Sequence, residues 1–170
     1  MIVYNDELLL TSNGNRVSYH EITAQIKNIV SKSKVNNGIC VVVSPHTTCS
    51  VIFEEYSHDV NYNGDEYLQI DLNNVLDKII PRCVTEGQYY HPGPKHTNFG
   101  VEDCQESLVP DLRSLLNTDA HLRGTLLGSS ETFIIENGKL AIGEVGYIYF
   151  IDWDQNRSRE RHCKVQVLGE

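Results

Sequence analysis

Residues 38–44, GICVVVS, form an almost unbroken apolar run rich in β-branched side chains. A strand with one exposed face alternates apolar and polar residues, so this continuous run predicts a strand that is buried on both faces. The run stops at Pro45, and a second apolar segment, CSVIFE at 49–54, follows a short turn. The sequence therefore predicts two strands joined by a tight turn, whose side chains are held by a rigid scaffold.

Apolar residues at helical spacing predict two helices, within residues 21–34 (EITAQIKNIVSKSK) and 64–81 (GDEYLQIDLNNVLDKIIP). The apolar stripe of the second helix consists of Leu68, Leu72, Val75, Leu76 and Ile79. Two shorter helices are expected at DCQESLVPDLRSLLN and TDAHLRGTLLG, the second of which is capped by Thr118 or Asp119.

The remaining segments predict a long loop and further strands. Residues 81–104 are rich in glycine, proline and aromatic residues, and a loop of this length inside a compact domain is usually functional or disordered. Asn137-Gly138 predicts a hairpin within SETFIIENGKLAIG, and YIYFIDWD and HCKVQVLG predict a final antiparallel pair. Strands at both ends and helices between them predict an α+β fold with antiparallel sheets stacked as a sandwich.

Length, charge and cysteine content limit the classes of function. With 170 residues the chain is expected to form one domain, 1–170. The net charge of −9 argues against nucleic acid as a partner, because phosphate backbones bind basic surfaces. No apolar run approaches the roughly 20 residues of a membrane span. The first residues lack the pattern of a signal peptide, so we expect a cytoplasmic protein without membrane contact. All five scattered cysteines are expected to be free.

Several ionisable residues are candidates for a site. His46 directly follows the first predicted strand, and it is either a site residue or a hydrogen-bonded structural histidine. Glu54 and Glu55 point to opposite faces of the second strand, so at most one of them shares a direction with a given ligand. Asp71 lies at the edge of the helical stripe, where a carboxylate must be paired, hydrogen-bonded or metal-bound. A helix–loop hydrogen bond explains Asp71 equally well.

Two further histidines have an informative context. His121 lies near a predicted helix start and faces either the core or a cleft. His91 follows two tyrosines in the long loop and is either a site residue or an ordinary exposed histidine. The remaining histidines lack a comparable context, and we expect them at the surface: His20, His58, His96 and His162.

Ordered blocks of this sequence resemble one protein family. They are HTTCSVIFEE, YYH, NTDAHLRGTLLGSS, GKLAIG with YIYFIDWD, and the closing VQVLGE. They resemble the YjbQ-like family, which is also called the secondary thiamine-phosphate synthase family. The resemblance implies an α+β unit with a β-sandwich-like core and helices inserted between strands. It also implies a homotrimer with sites near the subunit contacts.

The family pattern carries over to this chain at most positions. The matching residues are His46, Thr47, Thr48, Glu55, Asp71, His91, His121 and Arg161. The chain departs from the pattern at Ile70, where the family has a histidine, and at GEVGY (143–147), where the family has G-T-W-Q-G. Residues 56–64 form an insertion, and the loop at 81–104 is longer than is usual in the family.

The resemblance implies roles for these residues. The implied catalytic residues are His46, Glu55, Asp71 and His121, and the implied metal ligands are His46, His91 and His121. The implied substrate-binding residues are Thr47, Thr48, Ser129, Ser130 and Arg161, although a Gly-Ser-Ser turn is also an ordinary helix stop. Mixed nitrogen and oxygen ligands suit zinc, whereas displacement of pyrophosphate normally calls for magnesium, so zinc and magnesium both stay open.

Two functions of different classes follow. The first is an enzyme that joins a pyrimidine diphosphate to a thiazole phosphate and releases pyrophosphate, with a small-molecule phosphate as substrate. The second is a non-catalytic trimer that binds a metal or a small ligand. The missing histidine at Ile70 and the altered GEVGY segment favour the second function, and the sequence does not decide between them.

Overall fold

The structure is a computed structural model that describes residues 1–102 and 111–170. Its strands are β1 (Ile2–Thr11), β2 (Ser18–Glu21), β3 (Gly38–Val43), β4 (Cys49–Glu55), β5 (Ser130–Glu136), β6 (Lys139–Leu140), β7 (Gly146–Asp152) and β8 (Glu160–Gly169). Its helices are α1 (Thr23–Ser33), α2 (Tyr67–Ile79), α3 (Pro94–Glu102) and α4 (Thr118–Leu127), and a 3-10 helix spans Leu112–Leu115.

The strands form two antiparallel sheets. In the described residues the larger sheet has the order β1-β8-β3-β5-β6, and the smaller sheet has the order β2-β7-β4. The two sheets share the main core: β3 contributes Cys40 and Val42, and β7 contributes Ile148 and Phe150, all of which are 0% exposed. This arrangement confirms the predicted α+β fold.

The last two strands do not pair with each other, so the prediction of a final antiparallel pair is wrong. β7 lies between β2 and β4, whereas β8 lies between β1 and β3. Residues 153–159 cross from one sheet to the other. As a result, β7 and β8 each bury one face against the opposite sheet. β3 and β4 are divided between the sheets in the same way, although only a short turn separates them.

β3 is buried on one face only, so the prediction of a doubly buried strand is wrong. Its alternate residues face the core, but Ile39 is 39% exposed. On the outer face Ile39 neighbours Ile134 and Leu168, and Leu168 neighbours Val3. We call these four residues the outer row. The apolar run of β3 is unbroken because its outer-face residues, Ile39, Val41 and Val43, are apolar although they are exposed or only partly buried.

The two longest helices bury their apolar stripes to different extents. α1 buries its whole stripe in the main core. α2 buries only Leu76 of its predicted stripe, whereas Val75 is 54% exposed. Asp71 is exposed as well and does not lie at a buried edge. The helical spacing identified the apolar face of α2 correctly, but it did not reveal that only Leu76 and Leu72 pack against the core while Leu68, Val75 and Ile79 stay exposed in the described chain.

The segment predicted as a long loop is partly helical. Residues 81–93 are irregular, but α3 begins at Pro94, and proline suits the first position of a helix because its missing N–H would be unpaired there. The helix predicted after this loop falls mainly on residues 103–110, which lie outside the described residues. Its described part contains the 3-10 helix, whose N-cap is Asp111. Among the described helices, none is long and apolar enough to cross a membrane.

The described cysteines are free, as predicted. Cys40, Cys49, Cys83 and Cys163 are all buried thiols, and Cys104 lies outside the described residues. Burial raises the pKa of Cys40 to about 11 and that of Cys49 and Cys163 to about 12. These thiols therefore stay protonated near neutral pH, which makes them poor nucleophiles.

Candidate functional site

The polar residues of α4 anchor the loop that precedes α3. The hydroxyl of Thr118 donates to the carbonyl oxygen of His91 (2.6 Å), and the carboxylate of Asp119 accepts from the backbone N–H of Cys83 (3.0 Å). The buried Arg123 donates to the carbonyl oxygen that ends α2 (2.7 Å). The prediction that Thr118 or Asp119 caps α4 is wrong, because the helix begins at Thr118 and its N-cap is Asn117, which makes no side-chain cap hydrogen bond.

Three histidines from separate segments meet beside α4. His91 ends the anchored loop, His96 lies in the first turn of α3, and His121 lies on α4. The ring centroids of His91 and His96 are 4.5 Å apart, and those of His91 and His121 are 5.6 Å apart. We call these residues the histidine cluster. His91 and His121 were predicted site residues, whereas His96 is exposed, as predicted, but contacts His91.

The cluster favours neutral imidazoles. Burial lowers the pKa of His91 and of His121, and the positive charge that neighbouring histidines acquire on protonation lowers it further. For His121 the carboxylate of Asp154 acts in the opposite direction. The Nε2 atom of His91 is buried and has no hydrogen-bond partner among the described residues. A neutral imidazole with such a nitrogen can accept a proton or bind a ligand.

The carboxyl group of Asp154 is buried next to the cluster. Asp154 is 0% exposed, and its carboxylate accepts hydrogen bonds from the side-chain amide of Asn117 (3.2 Å) and the backbone N–H of Asn156 (3.0 Å). It also forms an ion pair with Arg159 at 2.8 Å. A buried carboxylate requires such partners. Sequence reasoning missed both Asp154 and Arg159.

His46 belongs to a different group of residues. Its Nε2 accepts a hydrogen bond from the backbone N–H of His162 (2.9 Å), and the centroids of the two rings are 5.9 Å apart. Burial, followed by the charge of Arg161, lowers the pKa of His46. His162 was expected at the surface without a role, but it also lies 2.8 Å from the carboxylate of Glu7. These contacts favour the structural interpretation of His46.

Arg161, an implied phosphate ligand, is buried in an ion pair with Asp152. Its Nε and Nη2 atoms donate to the two carboxylate oxygens at 2.8 and 3.1 Å, and Nη2 also donates to the hydroxyl of Thr48 at 3.1 Å. The charge of Arg161 is therefore neutralised inside the fold, which favours a structural role for Arg161 and Thr48. We call this group the β8 junction, and it comprises His46, Thr48, Asp152, Arg161 and His162.

The other implied substrate-binding residues are accessible. Thr47, Ser129 and Ser130 are exposed near the turn between β3 and β4. The carbonyl oxygen of Ser129 accepts from the backbone N–H of Ser44 (2.8 Å), which holds it next to this turn. A Cβ atom on Gly124 would lie 2.8 Å from the carbonyl oxygen of Thr47, so α4 approaches the turn this closely only because residue 124 is glycine.

Glu55 and Asp71 do not join the histidines. Glu55 ends β4, roughly 20 Å from the strand start near His46, and it lines a pocket of about 290 Å³ with Val145 of the altered GEVGY segment. Asp71 lies on the exposed face of α2. Among the described residues, no group of three or more histidine, cysteine, aspartate or glutamate side chains is arranged to hold a metal ion. The implied ligand set therefore does not assemble within the described part of one chain.

A buried carboxylate network under α2 was also missed. Glu66 is 6% exposed and accepts hydrogen bonds from the hydroxyl of Tyr149 (2.7 Å), the backbone N–H of Ser57 (2.8 Å) and the side-chain amide of Gln69 (3.1 Å). Glu54 is half-buried, and burial, followed by the charge of Glu66, raises its pKa. The spacing of Glu66 and Gln69 is a capping-box signal that the sequence did contain.

Comparison with known proteins identifies the family. The family model described as UPF0047 protein YjbQ-like matches residues 7–170. A UPF0047 protein from Methanocaldococcus jannaschii is 32% identical over 145 residues, which cover 85% of this chain and 82% of that protein. A UPF0047 protein from Archaeoglobus fulgidus is 30% identical over 151 residues, which cover 89% of this chain and 93% of that protein.

A solved structure agrees with this assignment. The crystal structure of a YbjQ-like protein from Sulfolobus solfataricus P2 matches with a TM-score of 0.71 and 27% sequence identity. The match covers 99% of this chain and 98% of that chain. By both sequence and fold, the chain belongs to the YjbQ-like UPF0047 family.

Proposed function

We propose that the protein is a small-molecule enzyme whose reaction resembles that of thiamine-phosphate synthase, with the histidine cluster as its acid–base site. The observation that carries the proposal is the meeting of His91, His96 and His121 from three separate segments. The proposal is also supported by the buried Nε2 atom of His91, which has no hydrogen-bond partner among the described residues. Imidazoles pack together in this way when they stay neutral, and neutral imidazoles transfer protons near neutral pH.

In the proposed reaction the C–O bond between the pyrimidine methylene carbon and the diphosphate breaks, and a C–N bond to the thiazole nitrogen forms. Pyrophosphate leaves with the electron pair of the broken bond. His121 donates a proton to the leaving pyrophosphate, because the charge of a bound diphosphate raises the pKa of a neighbouring imidazole. The carboxylate of Asp154 supports the same protonated state. The exposed hydroxyls of Thr47, Ser129 and Ser130 are proposed contacts for phosphate oxygens.

A divalent metal remains part of the proposal, although no step is assigned to it. Zinc would suit the imidazoles of the cluster, and magnesium would suit a bound pyrophosphate. Elemental analysis of the purified protein tests this point. One zinc per chain in the wild type and none in His91→Ala would support a metal at the cluster. Equal metal content in the wild type and His91→Ala would place any metal elsewhere.

The alternative is a protein that binds its ligand without converting it. This alternative is favoured by the β8 junction, because Thr48 and Arg161 are used inside the fold and are not offered to a phosphate. It is also favoured because, among the described residues, Glu55 and Asp71 are exposed and form no metal-binding group with the histidines. Under this alternative the cluster would hold a small anionic ligand but would release no product.

The deciding experiment is a pyrophosphate-release assay with a pyrimidine diphosphate and a thiazole phosphate, in the presence of magnesium or zinc. The proposal predicts many turnovers per chain, and the loss of turnover in His121→Gln. Saturable binding of the substrates without pyrophosphate release would establish the non-catalytic alternative. A matched control is His58→Asn, because His58 is an exposed histidine outside the cluster.

We also propose that the protein forms a homotrimer. The proposal is supported by two exposed apolar surfaces, the stripe of α2 and the outer row, in which Val75 is 54% and Ile134 is 59% exposed. Exposed apolar patches commonly mark contacts between proteins.

Light scattering is expected to report a trimer for the wild type and a smaller species for Val75→Asp. Asn74→Asp adds the same charge to the same helix and should leave the trimer intact. A stable 19.3 kDa wild-type monomer would contradict the proposal.

We propose a cytoplasmic location for the protein. The proposal is supported by the four described cysteines, all of which are free thiols. Free thiols are typical of proteins in a reducing compartment, where disulfides are rare. Fractionation of the source cells tests it, and recovery of the protein in a membrane or secreted fraction would contradict it.

A further inference from the structure

A cavity of about 500 Å³ lies outside the histidine cluster and is lined by three arginines. Arg82 comes from the loop after α2, Arg113 from the 3-10 helix, and Arg157 from the connection between β7 and β8. Gly14 also lines the cavity, and a Cβ atom there would lie 2.1 Å from the backbone nitrogen of Ser158, so the Gly14 backbone packs closely against that connection. Segments that are distant in sequence therefore place three guanidinium groups around one space.

The charge of this cavity is opposite to that of the whole chain. The chain has a net charge of −9, yet the described residues that line the cavity include three arginines and a single acidic residue, Asp111. One oxygen of Asp111 caps the 3-10 helix, and the other pairs with Arg113 at 3.3 Å. The Arg113 side chain is 86% exposed, so this pair is weak. Arg82 donates to a neutral group, the carbonyl oxygen of Gln155, at 3.4 Å.

We infer that this cavity binds an organic phosphate. Guanidinium groups match the oxygens of a phosphate with parallel hydrogen bonds. Arg82 donates to a neutral carbonyl oxygen and Arg113 forms only a weak exposed pair, so these two side chains offer positive charge to an anion. A volume of about 500 Å³ is typical of small-molecule sites and far exceeds what one phosphate group fills. The organic part of the ligand occupies the remaining space, next to neutral polar residues such as Asn15 and Ser114.

The inference is separate from the proposed reaction. None of the described residues that line the cavity is a histidine. One link to the cluster is Asn156, which lines the cavity and whose backbone N–H donates to Asp154 (3.0 Å). Anion binding at the cavity can thus be measured in a protein whose histidine cluster has been disabled.

Isothermal titration calorimetry with inorganic phosphate and phenyl phosphate tests the inference. Phenyl phosphate is expected to bind more tightly than inorganic phosphate at equal charge, because the cavity has room for the ring. Arg82→Gln or Arg113→Gln should weaken the binding of phenyl phosphate about threefold or more, and the double variant about tenfold or more. Both arginines are exposed, so the variants should keep the wild-type melting temperature.

Two controls make the result specific. Lys32→Gln removes one exposed positive charge from α1, none of whose described residues lines the cavity, and it should bind phenyl phosphate as the wild type does. The titrations are repeated in the His121→Gln background, where the arginine substitutions should cause the same losses, which separates this site from the proposed catalytic one. Equal binding of both anions, an equal loss in Lys32→Gln, or wild-type affinity in the double arginine variant would each overturn the inference.

Discussion

The histidine cluster and the β8 junction both contain histidines whose pKa burial lowers, but their ring nitrogens have different neighbours. At the junction the Nε2 atom of His46 accepts a hydrogen bond from the backbone N–H of His162 (2.9 Å). In the cluster the Nε2 atom of His91 has no partner among the described residues. A perturbed pKa alone therefore does not separate a structural histidine from a reactive one. What differs between these two groups is the hydrogen bonding of the ring nitrogens.

The largest expected effect is on stability at the β8 junction. Arg161→Ala leaves the carboxylate of Asp152, which is 0% exposed, without its ion-pair partner. Removing one partner of a buried pair typically lowers the free energy of unfolding by about 3–5 kcal/mol. Urea unfolding measures this loss. Arg16→Ala breaks a partly exposed pair with Asp65 and should cost no more than about 1 kcal/mol. Equal effects of the two substitutions would contradict the structural role of Arg161.

The next effect is on turnover at the histidine cluster. His121→Gln should lower the rate of pyrophosphate release at least about 100-fold, because a positioned acid–base group contributes at least that factor. The free energy of unfolding should change by less than about 1 kcal/mol, since His121 is half-buried. The control is His58→Asn, because residue 58 has a positive φ of 63° and asparagine tolerates that conformation. Unchanged turnover in His121→Gln, with the fold intact, would remove His121 from the mechanism.

His46→Ala should show the reverse behaviour. The substitution leaves the backbone N–H of His162 without its acceptor, and an unsatisfied, partly buried donor costs about 1–3 kcal/mol. Turnover per folded molecule should stay unchanged. Thermal unfolding and the pyrophosphate assay on the same preparation distinguish the two roles. A normal melting temperature combined with lost turnover would make His46 a catalytic residue after all.

The smallest expected effect is on the pH dependence of stability. Because burial lowers the pKa of His46, His91 and His121, the unfolded chain binds protons before the folded one does. The free energy of unfolding should therefore fall as the pH drops below about 6.5, the ordinary histidine value. His121→Gln should reduce this slope, as should His46→Gln. A slope that is identical in the wild type and both variants would show that these histidines titrate normally in the folded protein.

The sequence predicted most of the secondary structure because its local signals are strong. The spacing of the α1 and α2 stripes and the Asn137-Gly138 turn each depend on neighbouring residues only. Strand partners depend on distant residues, and for this reason β7 and β8 were paired wrongly. The outer row and the α2 stripe show a second limit, since an apolar face has the same sequence pattern whether it is buried in the core or left exposed.

The site was predictable only in part. His91 and His121 were recognised, but the residues that define their environment were not. Asp152 and Asp154 flank Trp153 at the end of an apolar strand, and the arginines of RSRER (157–161) follow shortly after. Acidic residues beside a buried strand, followed by arginines, could have predicted buried ion pairs. His96 carried no signal, because its contact with His91 depends on how a long loop and α3 fold back onto α4.

The most direct test of the account is substrate protection against diethyl pyrocarbonate, which labels neutral imidazoles, read out by mass spectrometry of each histidine. The account predicts that a pyrimidine diphosphate and a thiazole phosphate together reduce the labelling of His91 and His121. Labelling of His46 and of the exposed His58 should not change. Protection of His46, with His91 and His121 labelled as in the free protein, would place the substrates at the β8 junction and contradict the account.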